Sequence, residues 1–362
     1  MSDDKITDEL PINIVIIVDG DYLNRFGDIF AKTLLGLIGV PINITLIGCD
    51  TQNDISPLLN AVRVLHFNTP ILPWRYNKQI ENLCNELGNS KINLIHSFSG
   101  RAGRLAGDIA KRLNIPYIVS FTGLLQEECH LHVDTHLCKA LIGISQPIVD
   151  TLTEFYGKFR DKIHLIRPGC FYYPRENQSK LSHSLVTLGR FDRHSGFDIL
   201  LQALSRLNKN GKEIFTVILG SGPLESYYRK WVANNELRES VLIIDQLANW
   251  HKLLAEADFY IQPGPFYSLH CGPYQALAHS CPIIATDDTA MDLVIDNQTG
   301  KLFSAGNVDA LVQILSDWLD EKIDWPAMSQ AAGDFAKNEL SLTQNIEKTV
   351  TLYKSVLASF DT

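Results

Sequence analysis

Residues 13–18 read Asn-Ile-Val-Ile-Ile-Val, and the segment Asp19-Gly20-Asp21 follows them directly. A short apolar run that is rich in β-branched residues predicts a strand buried on both faces of a sheet. A glycine straight after such a strand predicts a turn into a helix, where the backbone can approach a ligand closely. Similar apolar runs recur through the first half of the chain, at residues 43–48, 62–66, 92–97, 117–121, 140–144 and 163–166. Because amphipathic segments separate these runs, the strands are expected to pair in parallel, as they do in βαβ units.

The same alternation begins again after a polar, turn-rich segment at residues 173–184. Further strands are expected at residues 185–188, 215–219, 241–244, 259–261 and 282–285, with helices between them. The pattern predicts an α/β fold with two Rossmann-like, doubly wound domains that face each other across an interdomain cleft. The expected limits are residues 1–172 for the first domain and residues 173–339 for the second. The last helix, at about residues 340–362, carries an apolar stripe and is expected to pack back on the first domain.

The composition excludes several functional classes. The 362 residues are 45% hydrophobic and 20% charged, which is typical of a globular chain and not of a disordered one. Asp and Glu total 41 against 32 Lys and Arg, so no nucleic-acid partner is expected. The N-terminal residues resemble no secretory signal, no run is long enough to span a membrane, and the seven cysteines are scattered without a CxxC pair. We therefore expect a cytoplasmic protein with reduced thiols and, at most, a peripheral membrane contact.

Glycines and an arginine follow several of the expected strands, which is where open α/β sheets bind their ligands. Arg190 leaves the strand at residues 185–188, and its guanidinium group could bind a phosphate. The segment His270-Cys271-Gly272-Pro273 is expected to open a helix whose first amides could hold a diphosphate. Glycines also occur in Ser195-Gly196 and in Gly220-Ser221-Gly222. Each of these segments, taken alone, is also compatible with an ordinary turn.

Arg101 and Arg104 lie three residues apart at the expected start of a helix over residues 101–113. Two cations at the positive end of a helix dipole suggest that the first domain binds an anionic group. A solvated helix face accounts for the same two arginines at least as well.

No metal or cofactor is expected to take part in the activity. Cysteine and histidine residues cluster in one segment, as Cys129, His130, His132, His136 and Cys138, but their spacing matches no zinc pattern. Asp287-Asp288 is an adjacent pair and not the D-x-D of metal-dependent enzymes that use sugar nucleotides.

Together these segments resemble a family-4 retaining glycosyltransferase of the GT-B architecture, over nearly the whole chain. In the first half the resemblance rests on residues 95–99, 115–123, 140–145 and 165–169. In the second half it rests on segments that occur in the family's order, Leu188-Gly189-Arg190, Gly220-Ser221-Gly222-Pro223, residues 275–278 and 282–287, and Asn297-Gln298-Thr299-Gly300. The resemblance implies that a sugar is transferred, with retention, from a UDP- or GDP-linked donor bound in the second domain. The implied acceptor is a sugar, a lipid or another small molecule bound in the first domain.

Four positions depart from the family's pattern. Tyr267 and Gln275 stand where the family has two glutamates, Ser195 stands where it has a lysine, and Thr122 stands where it has a histidine. The resemblance then implies three catalytic residues, Arg190, Thr122 and Tyr267. It implies a donor-binding set that consists of Gly20, Gly189, Arg190, Ser195, Gly220, Gly222, His270, Cys271, Gly272 and Gln275.

The departures keep two other functions open. Removing polar groups from a site that stabilises a leaving diphosphate lowers the rate of transfer, which favours an inactive pseudo-glycosyltransferase. Such a protein would bind a sugar or a nucleotide, or would stabilise a partner enzyme. A nucleotide-sugar epimerase or a phosphorylase, which share the architecture, is a third hypothesis.

Overall fold

The structure is a computed structural model that describes residues 12–51, 62–124, 131–175, 183–245, 249–265, 269–287 and 291–360. Contacts within the chain form two compact units. The first unit comprises Met1–Ile144, Ile148–Ile166 and Thr343–Thr362, and the second comprises Ser145–Pro147 and Arg167–Leu342. These units are defined by contacts, whereas the domain limits expected from the sequence refer to parts that fold independently. Those limits therefore stay a prediction.

The first unit is built on one parallel sheet of seven strands. Its strands are β1 (Ile12–Asp19), β2 (Ile42–Cys49), β3 (Arg63–Phe67), β4 (Leu94–Ser97), β5 (Tyr117–Phe121), β6 (Cys138–Gly143) and β7 (Ile163–Leu165). Their spatial order is β3-β2-β1-β4-β5-β6-β7. The sheet therefore grows in one direction from β1 to β3 and in the other direction from β4 onward. Residues at the centre of β1, from Ile14 to Val18, are fully buried, as expected for a strand covered on both faces.

Four helices follow strands of this sheet, α1 (Gly20–Ile38), α2 (Pro73–Leu87), α3 (Gly103–Leu113) and α4 (Gln146–Phe155). Helix α1 begins directly after β1 because the Asp19 carboxylate accepts a hydrogen bond of 2.8 Å from the Tyr22 amide. Helix α3 begins at Gly103, so Arg101 precedes it instead of opening it.

The second unit is built on a parallel sheet of six strands. Its strands are β8 (Ser184–Leu188), β9 (Phe215–Leu219), β10 (Val241–Ile244), β11 (Phe259–Gln262), β12 (Ile283–Thr286) and β13 (Gly300–Phe303), in the spatial order β10-β9-β8-β11-β12-β13. The helices are α5 (Phe197–Lys209), α6 (Glu225–Asn234), α7 (Cys271–Ala278), α8 (Val308–Leu319) and α9 (Trp325–Glu339). The apolar stripe of α5 lies in the core of this unit, as its spacing predicts.

The last helix, α10 (Leu342–Phe360), packs in the first unit. The Tyr353 hydroxyl lies 2.7 Å from Nδ1 of the buried His96, whose Nε2 lies 2.8 Å from the Ser120 hydroxyl. Burial lowers the pKa of His96 to about 3, so this imidazole is neutral. A side chain on Gly36 of α1 would meet Ile346 at 2.8 Å, so the glycine lets α10 approach closely. These contacts give the apolar stripe of α10 the surface that it needs.

The predicted fold class, two Rossmann-like α/β sheets, is confirmed by the two parallel sheets. Strand β13 was not expected, because its Lys301 and Leu302 are only half-buried and it follows a turn-rich segment. Helix α9 was not expected either, although Asp324 caps its start and Pro326 stands in its first turn. Within the described residues, no helix is both long enough and apolar enough to cross a membrane.

Candidate functional site

The strand order gives each unit one candidate binding edge, by the general rule for open α/β sheets. Ligands lie beyond the carboxyl ends of the strands, at the point where the order of the strands reverses. In the first unit this point lies between β1 and β4, and in the second unit it lies between β8 and β11. The loops after those strands contain Gly20 in the first unit, and Gly189 and Arg190 in the second.

In the second unit, the loops after β8 and β9 pack backbone against backbone. Gly220 has a φ of 143°, and a Cβ atom there would lie 1.9 Å from the carbonyl oxygen of Gly189. Gly222 has a φ of 156°, and its Cβ atom would lie 2.6 Å from the carbonyl oxygen of Phe191. Both positions therefore require glycine, for conformation and for space. The glycine segment found in the sequence brings these two strand ends together.

The loop after β8 also touches the loop after β11. A Cβ atom on Gly264 would lie 2.4 Å from the carbonyl oxygen of His194, and one on Gly196 would lie 2.3 Å from the carbonyl oxygen of Pro263. Gly196 is in the left-handed conformation, with a φ of 70°, and it precedes the first residue of α5. Three loops from three strands thus form one tight backbone surface at the carboxyl edge of the second sheet.

Arg190 extends from this surface. Its side chain is 75% exposed, and its Nε atom lies 3.7 Å from the Asp192 carboxylate. An ion pair at that distance and exposure contributes little to stability, so the guanidinium group can turn to an incoming anion at low cost. The structure therefore leaves Arg190 accessible at the strand end where the sequence suggested a phosphate contact.

Ser195 fastens the loop to helix α6. Its hydroxyl donates a hydrogen bond of 2.9 Å to the carbonyl oxygen of Asp192, which also accepts one of 3.0 Å from the Tyr228 hydroxyl. The Ser195 and Tyr228 hydroxyl groups lie 3.2 Å apart. Ser195 thus holds the loop that carries Arg190, and it brings no positive charge to the site.

The N-terminus of α7 is capped by the His270 side chain. Nδ1 of His270 accepts a hydrogen bond of 3.1 Å from the Gly272 amide, so the ring proton is on Nε2, which donates to Gln262 Oε1 at 3.1 Å. A Cβ atom on Gly272 would lie 2.2 Å from the Tyr260 hydroxyl, so glycine is required there. The first amides of this helix were expected to hold a diphosphate, and one of them, the Gly272 amide, donates to the imidazole in this structure. Cys271 is buried beside it.

The remaining expected site residues differ in their surroundings. Gln275 is 1% exposed within α7. Thr122 is also buried, in the first unit, where its hydroxyl accepts a hydrogen bond of 3.1 Å from Arg25, whose Nε donates to Asp21 at 2.9 Å. Tyr267 lies outside the described residues. The catalytic and donor-binding roles of all these residues stay predictions.

In the first unit, the carboxyl edge of the sheet contains a cavity of about 640 Å³. Its lining includes the predicted Gly20 and residues from the ends of β1, β2 and β3 and from helices α2 and α3. Asp50, Thr69, Tyr76 and Asp108 belong to this lining and were missed by the sequence analysis. Asp50 comes directly after β2, so reading every strand end would have found it, whereas Tyr76 and Asp108 lie inside helices.

The polar groups of the cavity are held in place by one another. The Asp50 carboxylate accepts hydrogen bonds from the Thr69 amide at 2.6 Å and from the Thr69 hydroxyl at 2.7 Å. The Tyr76 hydroxyl donates to Asp108 at 2.8 Å. Burial and the neighbouring Asp50 raise the pKa of the Cys49 thiol to about 12, so Cys49 is not a nucleophile at neutral pH.

The cysteine and histidine cluster does not form a helix face. Residues 131–134 are irregular and residues 135–137 form a turn, so His132 and His136 do not have the helical spacing that could bind a metal. Cys129 and His130 lie outside the described residues. Within the part of the chain that is described, no group of three His, Cys, Asp or Glu side chains is arranged to hold a metal ion.

Comparison with known sequences relates the second unit to a family of glycosyl transferases. Residues 175–338 match the family model described as glycosyl transferases group 1. The glycogen synthase of Thermodesulfovibrio yellowstonii is 27% identical over 190 residues, which cover 50% of this chain and 37% of the synthase. The matching segments span half or less of the length of the first curated relatives.

Solved structures match nearly the whole chain. A glycosyltransferase from Rickettsia africae has a TM-score of 0.77 at 16% identity, covering 96% of this chain and 99% of that one. HepE of Anabaena, solved in complex with UDP, has a TM-score of 0.75 at 15% identity, covering 95% of this chain and 100% of that one. Identities this low show the fold alone. The chain therefore has the GT-B fold, and its second unit matches the group 1 glycosyl transferases in sequence.

Proposed function

We propose that this protein is a family-4 glycosyltransferase, which moves a sugar from a UDP- or GDP-linked donor to an acceptor with retention. The second unit binds the donor and the first unit binds the acceptor. The observation that carries the proposal is the tight surface of three glycine loops with the exposed Arg190, inside the segment that matches the glycosyl transferases.

In the proposed reaction, negative charge develops on the leaving group next to the positive groups of this surface. When the bond between the sugar and the diphosphate breaks, negative charge develops on the leaving diphosphate. Arg190 supplies a guanidinium group, and the N-terminus of α7 supplies the positive end of a helix dipole. The loop glycines let the three loops pack closely, which brings their backbones together at the edge where the phosphates would lie. UDP binding by HepE, which shares the fold, supports a nucleotide in the same class of site.

The departures from the family's pattern determine how fast sugar transfer is expected to be. Ser195 replaces the family's lysine and uses its hydroxyl inside the loop, so Arg190 carries the main side-chain charge. Gln275 can hydrogen-bond a ribose hydroxyl only without charge assistance. We therefore expect slow sugar transfer. The experiment below distinguishes a slow enzyme from an inactive pseudo-glycosyltransferase.

The test is a calorimetric titration of the full chain with UDP, GDP and their sugars, with EDTA present because the proposed chemistry uses no metal. A charge-assisted hydrogen bond contributes about 1.5–3 kcal/mol, so Arg190→Ala should weaken nucleotide binding by roughly 10- to 100-fold. The matched control is Arg238→Ala, since Arg238 is also an exposed arginine of the second unit but precedes β10, at the amino edge of the sheet.

Donor hydrolysis and transfer to a mixture of acceptors are then measured on the same samples. Release of the nucleoside diphosphate that depends on Arg190 supports the enzyme. Nucleotide binding without release of any product supports the inactive alternative. If millimolar nucleotide does not bind, or if both arginine variants bind as the wild type does, the donor site proposed here is wrong.

A further inference from the structure

We infer that the cavity at the carboxyl edge of the first sheet binds a neutral, polyhydroxylated acceptor, such as a sugar end that carries no phosphate. This inference rests on the proposed function, because it names the acceptor class of that reaction. The cavity volume of about 640 Å³ falls within the range of small-molecule sites.

The charge of the lining sets the class of ligand. Four carboxylates line this cavity, those of Asp19, Asp21, Asp50 and Asp108, against the two guanidinium groups of Arg101 and Arg104. A third guanidinium group, that of Arg25, pairs with Asp21 at 2.9 Å, so the balance is one negative charge. A phosphate brought into this lining would meet an excess of negative charge in a partly enclosed space. The hydroxyl groups of a sugar are donors that carboxylate oxygens accept in strong hydrogen bonds.

The two arginines do not create a free anion site. The guanidinium group of Arg101 lies 4.0 Å from the Asp21 carboxylate, and that of Arg104 lies 3.8 Å from the Asp108 carboxylate. The Arg104 guanidinium also stacks on the Tyr76 ring, at 5.3 Å from its centroid. An anionic ligand would therefore have to compete with carboxylates of the same cavity. The two arginines suggested an anionic ligand from the sequence; we infer a neutral ligand instead.

Asp50 is built into the cavity at an energetic cost. It is a non-glycine residue in the left-handed conformation, with a φ of 50°, and both of its carboxylate oxygens accept hydrogen bonds from Thr69. Strained backbone of this kind persists where the surrounding structure fixes it, and it concentrates at functional sites. The residue is nevertheless exposed and lines the cavity, so the carboxylate can accept further hydrogen bonds.

Two aromatic side chains also line the cavity, and the Arg104 guanidinium lies over the ring of one of them, Tyr76. Tyr76 and Phe67 are packed edge to face, with ring centroids 5.8 Å apart, and both line the cavity. Burial and the bond to Asp108 raise the pKa of the Tyr76 phenol, so it remains a neutral donor. Carboxylates beside an aromatic surface match the hydroxyl groups and the apolar faces of a hexose.

The test uses saturation-transfer NMR on the full chain with methyl hexopyranosides of glucose, galactose and mannose as neutral probes. The corresponding hexose 6-phosphates are added as competitors. We expect at least one neutral glycoside to bind, and its 6-phosphate to displace it with an affinity lower by about tenfold or more. Asp50→Asn and Asp108→Asn keep the shape of the lining and should weaken glycoside binding by roughly tenfold each. Asp28→Asn is the matched control, since Asp28 pairs with Lys32 on α1 and does not line the cavity.

Each outcome has one meaning. The inference is overturned if a hexose 6-phosphate competes for the cavity as strongly as the neutral glycoside. It is also overturned if both cavity variants leave the glycoside signal unchanged. Absence of glycoside binding overturns it too. Nucleotide binding that depends on Arg190 is measured separately, so failure of the cavity leaves the donor site standing, and failure of the donor site leaves the cavity standing.

Discussion

Gly220→Ala should disrupt the tight surface at the carboxyl edge of the second sheet. The new Cβ atom would lie 1.9 Å from the carbonyl oxygen of Gly189, and the backbone φ of 143° is one that L side chains rarely adopt. Strained backbone costs about 1–3 kcal/mol. Displacing a packed backbone group costs about 1–3 kcal/mol more. Together these terms predict a loss of roughly 2–6 kcal/mol in the free energy of unfolding of the second unit.

The chain provides a matched control in Gly211→Ala. Gly211 also has a positive φ, of 72°, but a Cβ atom there would meet nothing within 4 Å. Only the left-handed backbone is penalised, at about 1–2 kcal/mol. The difference between the two variants therefore measures the close approach of the two loops together with the extra backbone cost of a φ of 143° over one of 72°.

The assay is urea unfolding followed by tryptophan fluorescence. Trp231, Trp250, Trp318 and Trp325 belong to the second unit and only Trp74 belongs to the first, so the signal reports mainly on the second unit. Nucleotide titration of the two folded variants follows, and Gly220→Ala should bind more weakly because Gly189 and Arg190 are displaced together. If Gly220→Ala is no less stable than Gly211→Ala, the loops after β8 and β9 do not meet as described here.

Three further predictions follow from the same structure. Ser195→Lys should restore a cation beside the diphosphate and strengthen nucleotide binding, at the cost of the hydrogen bond of 2.9 Å to Asp192; calorimetry that shows equal or weaker binding would mean that position 195 does not face the phosphates. Because burial lowers the folded-state pKa of His96 to about 3, below its unfolded value of about 6.5, its contribution to stability is present above pH 6.5 and is lost as the pH falls toward 3. Urea unfolding should show a loss of up to about 1.4 kcal/mol per pH unit from this group between pH 6 and 4, and His96→Gln should lack that part of the slope, whereas an unchanged slope would contradict the assignment. Ile71 is 97% exposed and Trp74 is 71% exposed beside the cations Arg75 and Lys78, so anionic vesicles should shift the tryptophan emission of the wild type to the blue. The shift should be absent from a Trp74→Phe variant and smaller with neutral vesicles or in a Lys78→Glu variant; no shift of the wild type with either vesicle would exclude this surface as a membrane contact.

The class of the fold and the position of the glycine loops along the chain could be predicted from the sequence alone. Strand and helix periodicity depends on near neighbours in the chain, so the buried run of β1 and the stripe of α5 were visible without any structure. The glycines at 220 and 222 could be read for the same reason, because a glycine turn after a buried strand is a local signal. Strand β13 escaped because half-buried residues at a sheet edge leave a weak pattern.

Which side chains share a site, and what each polar group does there, became visible only in the folded chain. Asp50, Thr69, Tyr76 and Asp108 come together because the sheet has the order β3-β2-β1-β4, which results from pairing between distant strands and leaves no mark on local sequence. The Ser195 hydroxyl contacts Tyr228, which lies 33 residues further along the chain. The His270 imidazole contacts Gln262, which lies on strand β11. Both side chains therefore hold loops in place. Hydrogen bonds between side chains are fixed by distance in space, and that distance is set only when the sheets have formed.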